Sequence, residues 1–258
     1  SLTRRPWVRP FVSGVKRGHA VKKRRLVLHW TDRWVAAVEG PAGGDSAAPD
    51  KAIWFELPEG SEPGAVVAER LREAGIASKA AHVVLPSDQG VLRAFRLPAG
   101  SPEERLQMVK LQLEKDLPFA VEKARLAFVP AGQSVRVGAV RAEVFERSVE
   151  LAASAGLTLA GMTLSPLGAT ASVSPLESGW MRAILVAEGR RLGLWFDEPG
   201  GDLAVRSIPY GEHHLEEGVV PWPEAFAREF VRTRNAFRTR HPEAERLAIL
   251  GVAPEAEV

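Results

Sequence analysis

The chain of 258 residues has no cysteine. That excludes disulfides, thiolate metal sites and cysteine nucleophiles, and it suits a reducing compartment. No run of eighteen apolar residues occurs, so no segment reads as a membrane-spanning helix. The first 25 residues hold no Asp or Glu, and their basic residues are not followed by the apolar core of a signal peptide. There is no Gly-x-Ser-x-Gly elbow, Walker loop or Gly-x-Gly-x-x-Gly turn. Nothing in the chain announces an enzyme.

With 45% hydrophobic and 26% charged residues the composition is ordinary for a globular protein, with length enough for one large or two modest domains. The net charge of +2 hides an asymmetry. Nine of the 34 Lys and Arg lie in residues 1–25, while the other 25 face 32 Asp and Glu, so residues 26–258 carry −7. Residues 1–25 therefore read as a basic, solvated arm. Its functional alternatives are contact with an anionic membrane, an acidic partner or nucleic acid. Trp7 and Phe11 among its charges suit interfacial insertion or base stacking. Specific nucleic-acid binding is not expected, because the body is acidic and carries no recognition motif. The chain opens on Ser1 and closes on VAPEAEV after an apolar run, which leads us to expect a longer natural chain.

From Leu26 the pattern turns to alternating α/β structure. LVLHW and RWVAAVEG read as a hairpin about Thr31-Asp32, and KAIWFELP as a third strand. PGAVVAERLREAGI reads as a short amphipathic helix stopped by Gly75, and HVVLPS as a buried strand. GPAGGDSAAPD (40–50) reads as a loop by composition and GVLRAFRLP as an exposed-face strand. Ser101-Pro102-Glu103-Glu104 has the residues of a capped helix start: Ser as N-cap, Pro at N1, Glu at N3. Leu106, Val109, Leu113 and Leu117 then fall near one stripe, and Pro118 ends the helix at a Leu-Pro-Phe corner. SVRVGAV, a helix over 143–157 stopped by Gly156, and TLAGMTLS form a β-α-β succession that predicts parallel strands. SVSPLESG (172–179) is the expected domain boundary. Beyond it come a three-strand meander with turns at Glu188-Gly189 and Gly200-Gly201, a helix with Phe226, Phe230, Val231 and Phe237 near one face, and a final strand, RLAILG.

These segments resemble a known family. LVLHWTDRWVAAVEG and AILVAEGRRLGLWF each place a hairpin near the start of an α/β half, a duplication similar to the actin-like fold with its two ribonuclease-H-like halves. RAFRLPAGSPEERLQMVKLQLEKDLPFAVEKARLAFVP, followed by VGAVRAEVFERSVELAASAGLTLAGMTLSPLGAT, looks like the actin-like assembly proteins of type IV pilus and type II secretion machines, PilM and GspL. AREFVRTRNAF and LAILG resemble their second half. The resemblance covers roughly residues 26–253. It implies an α/β actin-like fold: a first half over 26–175 with a small inserted subdomain at about 88–134, and a second half over 176–258 whose completeness the sequence leaves open. In the family the inserted subdomain lies beside the partner-receiving surface. That makes Glu114, Leu117, Pro118 and Phe119 candidate partner contacts, second to the reading of the same corner as packing that ends the helix.

Actin-like ATPases carry Asp-x-Gly at each hairpin, the Asp for Mg²⁺ and its water, the Gly for close approach of phosphate. Here the first copy reads His29-Trp30-Thr31 and the second Ala187-Glu188-Gly189, while Gly251-Val252 stands where the family has a Gly-Gly near the adenosine. The acids Asp32 and Glu188 are shifted, and a one-residue shift in a strand turns a side chain to the other face. The nucleotide loops at His29, Thr31, Ala187, Gly189 and Gly251 are degenerate. We expect no catalytic residue, no metal and no cofactor, with ATP and Mg as the alternative. His29 reads as a core histidine. His213-His214 would point apart on a strand rather than form a metal pair. Glu188 and Asp197 read as charged turn residues, with a carboxylate pair as the alternative. The tryptophans, from Trp7 to Trp222, read as core or surface anchors.

The resemblance implies a non-enzymatic adaptor on the cytoplasmic face of the bacterial inner membrane. It would recruit the secretion or pilus ATPase and couple it to platform proteins of the GspM or PilN kind, with a homodimer also open. The alternative is a PilM-like nucleotide-binding protein gripping the N-terminal peptide of a membrane partner.

Overall fold

A computed structural model describes residues 24–41, 49–98, 100–131, 134–167, 179–197, 203–209 and 222–252. Residues 1–23 of the basic arm, the boundary residues 172–178, the Gly200-Gly201 turn and His213-His214 lie outside the described residues, as does most of the 40–50 loop.

The first half starts with β1 (Arg24–Trp30), β2 (Trp34–Pro41) and β3 (Lys51–Glu56), an antiparallel meander. Helix α1 (Pro63–Glu73) carries the chain to β4 (Ala80–Leu85), parallel to β1. The Glu62 carboxylate caps α1 by accepting from Ala65 N–H at 2.7 Å, with Pro63 in the first turn. Later, α3 (Ala142–Ser154) leads to β8 (Thr158–Leu164), parallel to β4, completing the order β3-β2-β1-β4-β8. Both helices stop where expected, at Gly75 and Gly156, each at positive φ.

Between β4 and α3 sits the inserted subdomain: β5 (Gly90–Phe95), α2 (Pro102–Leu113), β6 (Ala124–Ala131) and β7 (Ser134–Arg141), with sheet order β5-β7-β6. The expected capping box is complete. Ser101 Oγ accepts from Glu104 N–H at 3.2 Å and Ser101 N–H donates to the Glu104 carboxylate at 2.8 Å. Val109 and Leu113 of α2 are fully buried against Val137 and Ala139 of β7, with Leu117 packed beside them.

Two expectations fail here. β7 and β8 are not parallel neighbours. β7 is the middle strand of the inserted sheet, antiparallel to β5 and β6, and α3 carries the chain from one sheet into the other. The insert therefore runs through Arg141, past residue 134, because SVRVGAV supplies the strand on which both of its neighbours hang. Nor is β5 an exposed-face strand: Leu92 is buried, and β5 lies beside β11 of the second half.

The second half repeats the first in connectivity and strand sense. β9 (Trp180–Glu188), β10 (Arg191–Asp197) and β11 (Leu203–Pro209) form an antiparallel meander. Helix α4 (Trp222–Arg240) then leads to β12 (Arg246–Val252), parallel to β9, in the order β11-β10-β9-β12. Among the described residues the second sheet has no counterpart of β8. Phe237 is fully buried and, with Phe230, packs on Phe196 at ring distances of 6.0 and 5.4 Å. Val231, expected near the same face, is 47% exposed.

The two halves share a core. Ile184, Val186, Trp195 and Leu203 of the second sheet belong to the same buried cluster as Leu26, Leu28, Val83 and Leu164 of the first. Each such side chain contributes about 1.5–3 kcal/mol on full burial, so separating the halves would expose a substantial apolar surface.

Candidate functional site

The β1–β2 and β9–β10 hairpins point their turns at one another. Thr31 shapes the first turn. Its hydroxyl donates to Trp34 C=O at 2.8 Å and accepts from the N–H groups of Arg33 and Trp34 at 3.2 and 2.9 Å. The hydroxyl is committed to the turn, as short polar side chains often are. His29 packs edge-on against Trp34 at 4.8 Å, and burial lowers its pKa to about 4, so the ring is neutral near pH 7. It is not the core histidine its apolar surroundings suggest: the ring is partly buried on the face of β1 opposite Leu26 and Leu28, outside the core cluster.

Gly189 forms the second turn at φ +70°. A Cβ placed on it would stand 2.1 Å from Asp32 Oδ1 and 3.3 Å from Thr31 Cβ. The two turns are therefore in direct contact. Arg190 approaches Asp32 at 4.0 Å, and Arg191 approaches Asp88 of the first half at 3.4 Å while also bonding Ser207.

Behind this contact lies the main departure from the sequence reading. Glu188 is not an exposed turn residue. It is 2% exposed and takes part in no carboxylate pair. Ser87 N–H donates to its two oxygens at 3.1 and 3.0 Å, and the hydroxyls of Ser87 and Ser165 donate to the same carboxylate. Burial pushes the Glu188 carboxyl above the ordinary carboxylate range, against the pull of these hydrogen bonds and with a further push from Asp88. A Cβ on Gly193 would lie 2.7 Å from Glu188 Oε2, so the glycine leaves the space the carboxylate fills. Asp197 sits at the other end of the hairpin, held by Arg182 through a buried bidentate contact of 3.0 and 2.6 Å. The antiparallel register, which pairs Glu188 with Arg191 and Asp197 with Arg182, keeps the two acids apart.

Ala187 has no ligating atom. Gly251 lies on β12 opposite Leu185, at the same end of the sheet as Ala187, with open space around it. Among the described residues at the turns, the buried Glu188 carboxylate already holds its donors, the Thr31 hydroxyl is bonded within its own turn, and Asp32 stands against Gly189. Among the described residues no three His, Asp or Glu side chains converge as a metal site.

At the turns opens a cleft of about 460 Å³, lined by Trp30, Thr31, Asp32 and Leu85 of the first half, by Glu143, Arg147 and Leu151 of α3, and by Glu188 and Arg191 of the second half. It sits between the first half and the β9–β10 hairpin. Arg147 and Arg191 were not singled out in the sequence, because both read as solvent charges within strongly polar stretches. The Leu-Pro-Phe corner is divided. Glu114 and Pro118 are exposed, Leu117 packs into the insert core, and Phe119 lies 4.6 Å under the Arg141 guanidinium.

No protein-family model matches the sequence, and no curated protein matches it. Solved structures do. The PilM–PilN type IV pilus biogenesis complex aligns at TM-score 0.60 and 19% identity, over 90% of this chain and 81% of that one. The cytoplasmic domain of EpsL, an inner membrane component of the type II secretion system of Vibrio cholerae, aligns at 0.54 and 12% identity, over 92% and 87%. A Bacteroides thetaiotaomicron protein with an actin-like ATPase fold and unknown function aligns at 0.54 and 8% identity, over 92% and 84%. Likeness at such identities speaks to fold, and it agrees with the duplicated topology traced above: this chain has the actin-like fold, in the form it takes in PilM and the EpsL cytoplasmic domain.

Proposed function

We propose that the protein is a non-enzymatic adaptor of a type II secretion or type IV pilus inner-membrane assembly platform. It would recruit the machine's ATPase and couple it to platform proteins from the cytoplasmic face of the membrane. The observation that carries this reading is the closed contact between the hairpin turns, with Glu188 bonded across the halves to Ser87 and Ser165. The acid of the second hairpin is taken up by protein donors, which supports a role without nucleotide chemistry. A scaffold joined in this way suits recognition by its surface. No helix among the described residues is long and apolar enough to cross a membrane.

The cleft favours a second reading for one of the partners. A volume of about 460 Å³ with apolar walls at Trp30, Leu85 and Leu151 and charges at its rim suits the side chains of a short peptide. A terminal segment of a PilN-like platform protein is the occupant we infer, held without nucleotide. Both readings are tested by titrating the immobilised protein with the machine's ATPase and with the N-terminal peptide of its platform protein, each with and without Mg-ATP. Saturable binding that ignores nucleotide is expected. Binding that requires Mg-ATP, or no binding of either, contradicts the proposal.

A further inference from the structure

Arginines gather at the seam between the inserted sheet and the second half. β11, an edge strand of the second sheet, runs beside β5, an edge strand of the insert. Arg206 on β11 reaches Glu229 of α4 at 3.8 Å, and Arg232 holds the same carboxylate at 3.1 Å. Across the seam, Arg93 on β5 pairs with Asp116 at 3.2 Å. Burial holds the Arg206 guanidinium below its ordinary range, and the neighbouring charges of Arg232, Arg93 and Arg240 add to the effect while Glu229 opposes it. Arg228, one turn before Arg232 on α4, is exposed and adds to the same side. Leaving Arg240 aside, among the described residues the guanidiniums of Arg93, Arg206, Arg228 and Arg232 outnumber the carboxylates of Asp116 and Glu229.

Such crowding of like charge is costly unless something offsets it. It is also out of character for this chain, since residues 26–258 carry −7. We propose that this seam is the docking site for an acidic segment of a partner protein, whose carboxylates pair with Arg93, Arg206 and Arg232. The proposal rests on the adaptor reading only in taking the partner to be a protein.

The chemistry favours carboxylates on a chain over other anions. Guanidiniums match carboxylates in planar, bidentate geometry, and Arg93 and Arg232 already donate to the carboxylates of Asp116 and Glu229 through single contacts. The side chains of Arg93 and Arg206 are 38% and 39% exposed and lie between elements of two subdomains, within reach of an inserted side chain and poorly placed for a flat lipid surface.

The test is fluorescence anisotropy of a labelled Glu-Glu-Leu repeat peptide, with phosphatidylglycerol vesicles and oligothymidine as rival probes. An Arg93→Glu/Arg206→Glu variant is compared with an Arg4→Glu/Arg5→Glu variant of the basic arm. Peptide binding that weakens with salt, falls about tenfold or more in the seam variant and is unchanged in the arm variant is expected. Unfolding midpoints establish that the variants fold. Arg93→Gln/Arg206→Gln stands in if charge reversal prevents folding, with the same loss expected. Peptide binding unchanged by the seam substitutions, or lost only with the arm, overturns the proposal. So does vesicle or oligothymidine binding that depends on the seam while peptide binding does not. None of these residues lines the hairpin turns, so nucleotide binding there would refute the adaptor reading and leave this result standing.

Discussion

The carboxylate of Glu188, at the end of β9 in the second half, accepts the backbone N–H of Ser87 in the first half at 3.1 and 3.0 Å, joining positions 101 residues apart. With the Ser87 and Ser165 hydroxyls on the same oxygens, the place where the two hairpins meet becomes a structural joint. The adaptor reading depends on that joint being closed.

Replacing Glu188 with Ala strands a buried N–H and two buried hydroxyls. Loss of about 1–3 kcal/mol is expected, the cost of leaving buried donors unsatisfied. Urea unfolding measures it. A midpoint within error of the wild type would mean that the carboxylate does not join the halves.

Acid titration separates two groups of opposite sign, the half-buried His29 and the buried Glu188. His29 has its pKa lowered to about 4. The unfolded ring protonates first, so stability falls as pH drops from about 6.5 to about 4, by about 3 kcal/mol in all. The His29→Phe variant should lose that acid limb. Glu188 has its pKa raised. Its folded form keeps a proton that the unfolded form has released, so its contribution falls as pH rises from about 4.5 through the raised folded value. Glu188→Gln should therefore gain on the wild type as pH rises through that window. The check is unfolding free energy across the pH range for all three proteins, and parallel curves would contradict both assignments.

Much of this molecule could be read from its residues because the signals are local. Ser101, Pro102 and Glu104 sit within one helical turn, and the capping box they spell is present. Gly75 and Gly156 end helices through their own backbone conformation. The hairpins follow from alternation on either side of a short turn. The errors came where distant pairing decides. Nothing in SVRVGAV tells whether its neighbours are β8 or the pair β5 and β6. Glu188 reads as a turn acid because Ser87 and Ser165, which bury it, lie far off in sequence. The departure of His29 and Ala187 from Asp-x-Gly was legible. The direct contact of Gly189 with Asp32 and Thr31, which closes the place between the turns, was not.

The Arg182–Asp197 pair is buried, with side chains 7% and 5% exposed. Asp197→Ala leaves a guanidinium without its carboxylate and should cost about 3–5 kcal/mol, whereas replacing both residues by apolar side chains of similar size should cost much less. A double-mutant cycle in denaturant reads the difference. Equal losses for the single and double changes would contradict it.

Leu117 and Phe119 separate packing from recognition at the Leu-Pro-Phe corner. Leu117→Ala should destabilise the chain by about 1–2 kcal/mol, since the side chain is half-buried in the insert core. Phe119→Ala should cost less, removing chiefly the contact under Arg141. Partner titration alongside thermal unfolding checks this. A Leu117→Ala protein of undiminished stability that no longer binds its partner would make the corner a contact surface.

The most direct measurement is calorimetric titration of Mg-ATP into the protein. No binding heat up to millimolar nucleotide is the expected result, because Thr31, Asp32 and Gly189 already touch and Glu188 is bonded across the halves. Saturable binding in the micromolar range would contradict the closed joint and return the chain to the nucleotide-binding members of its fold.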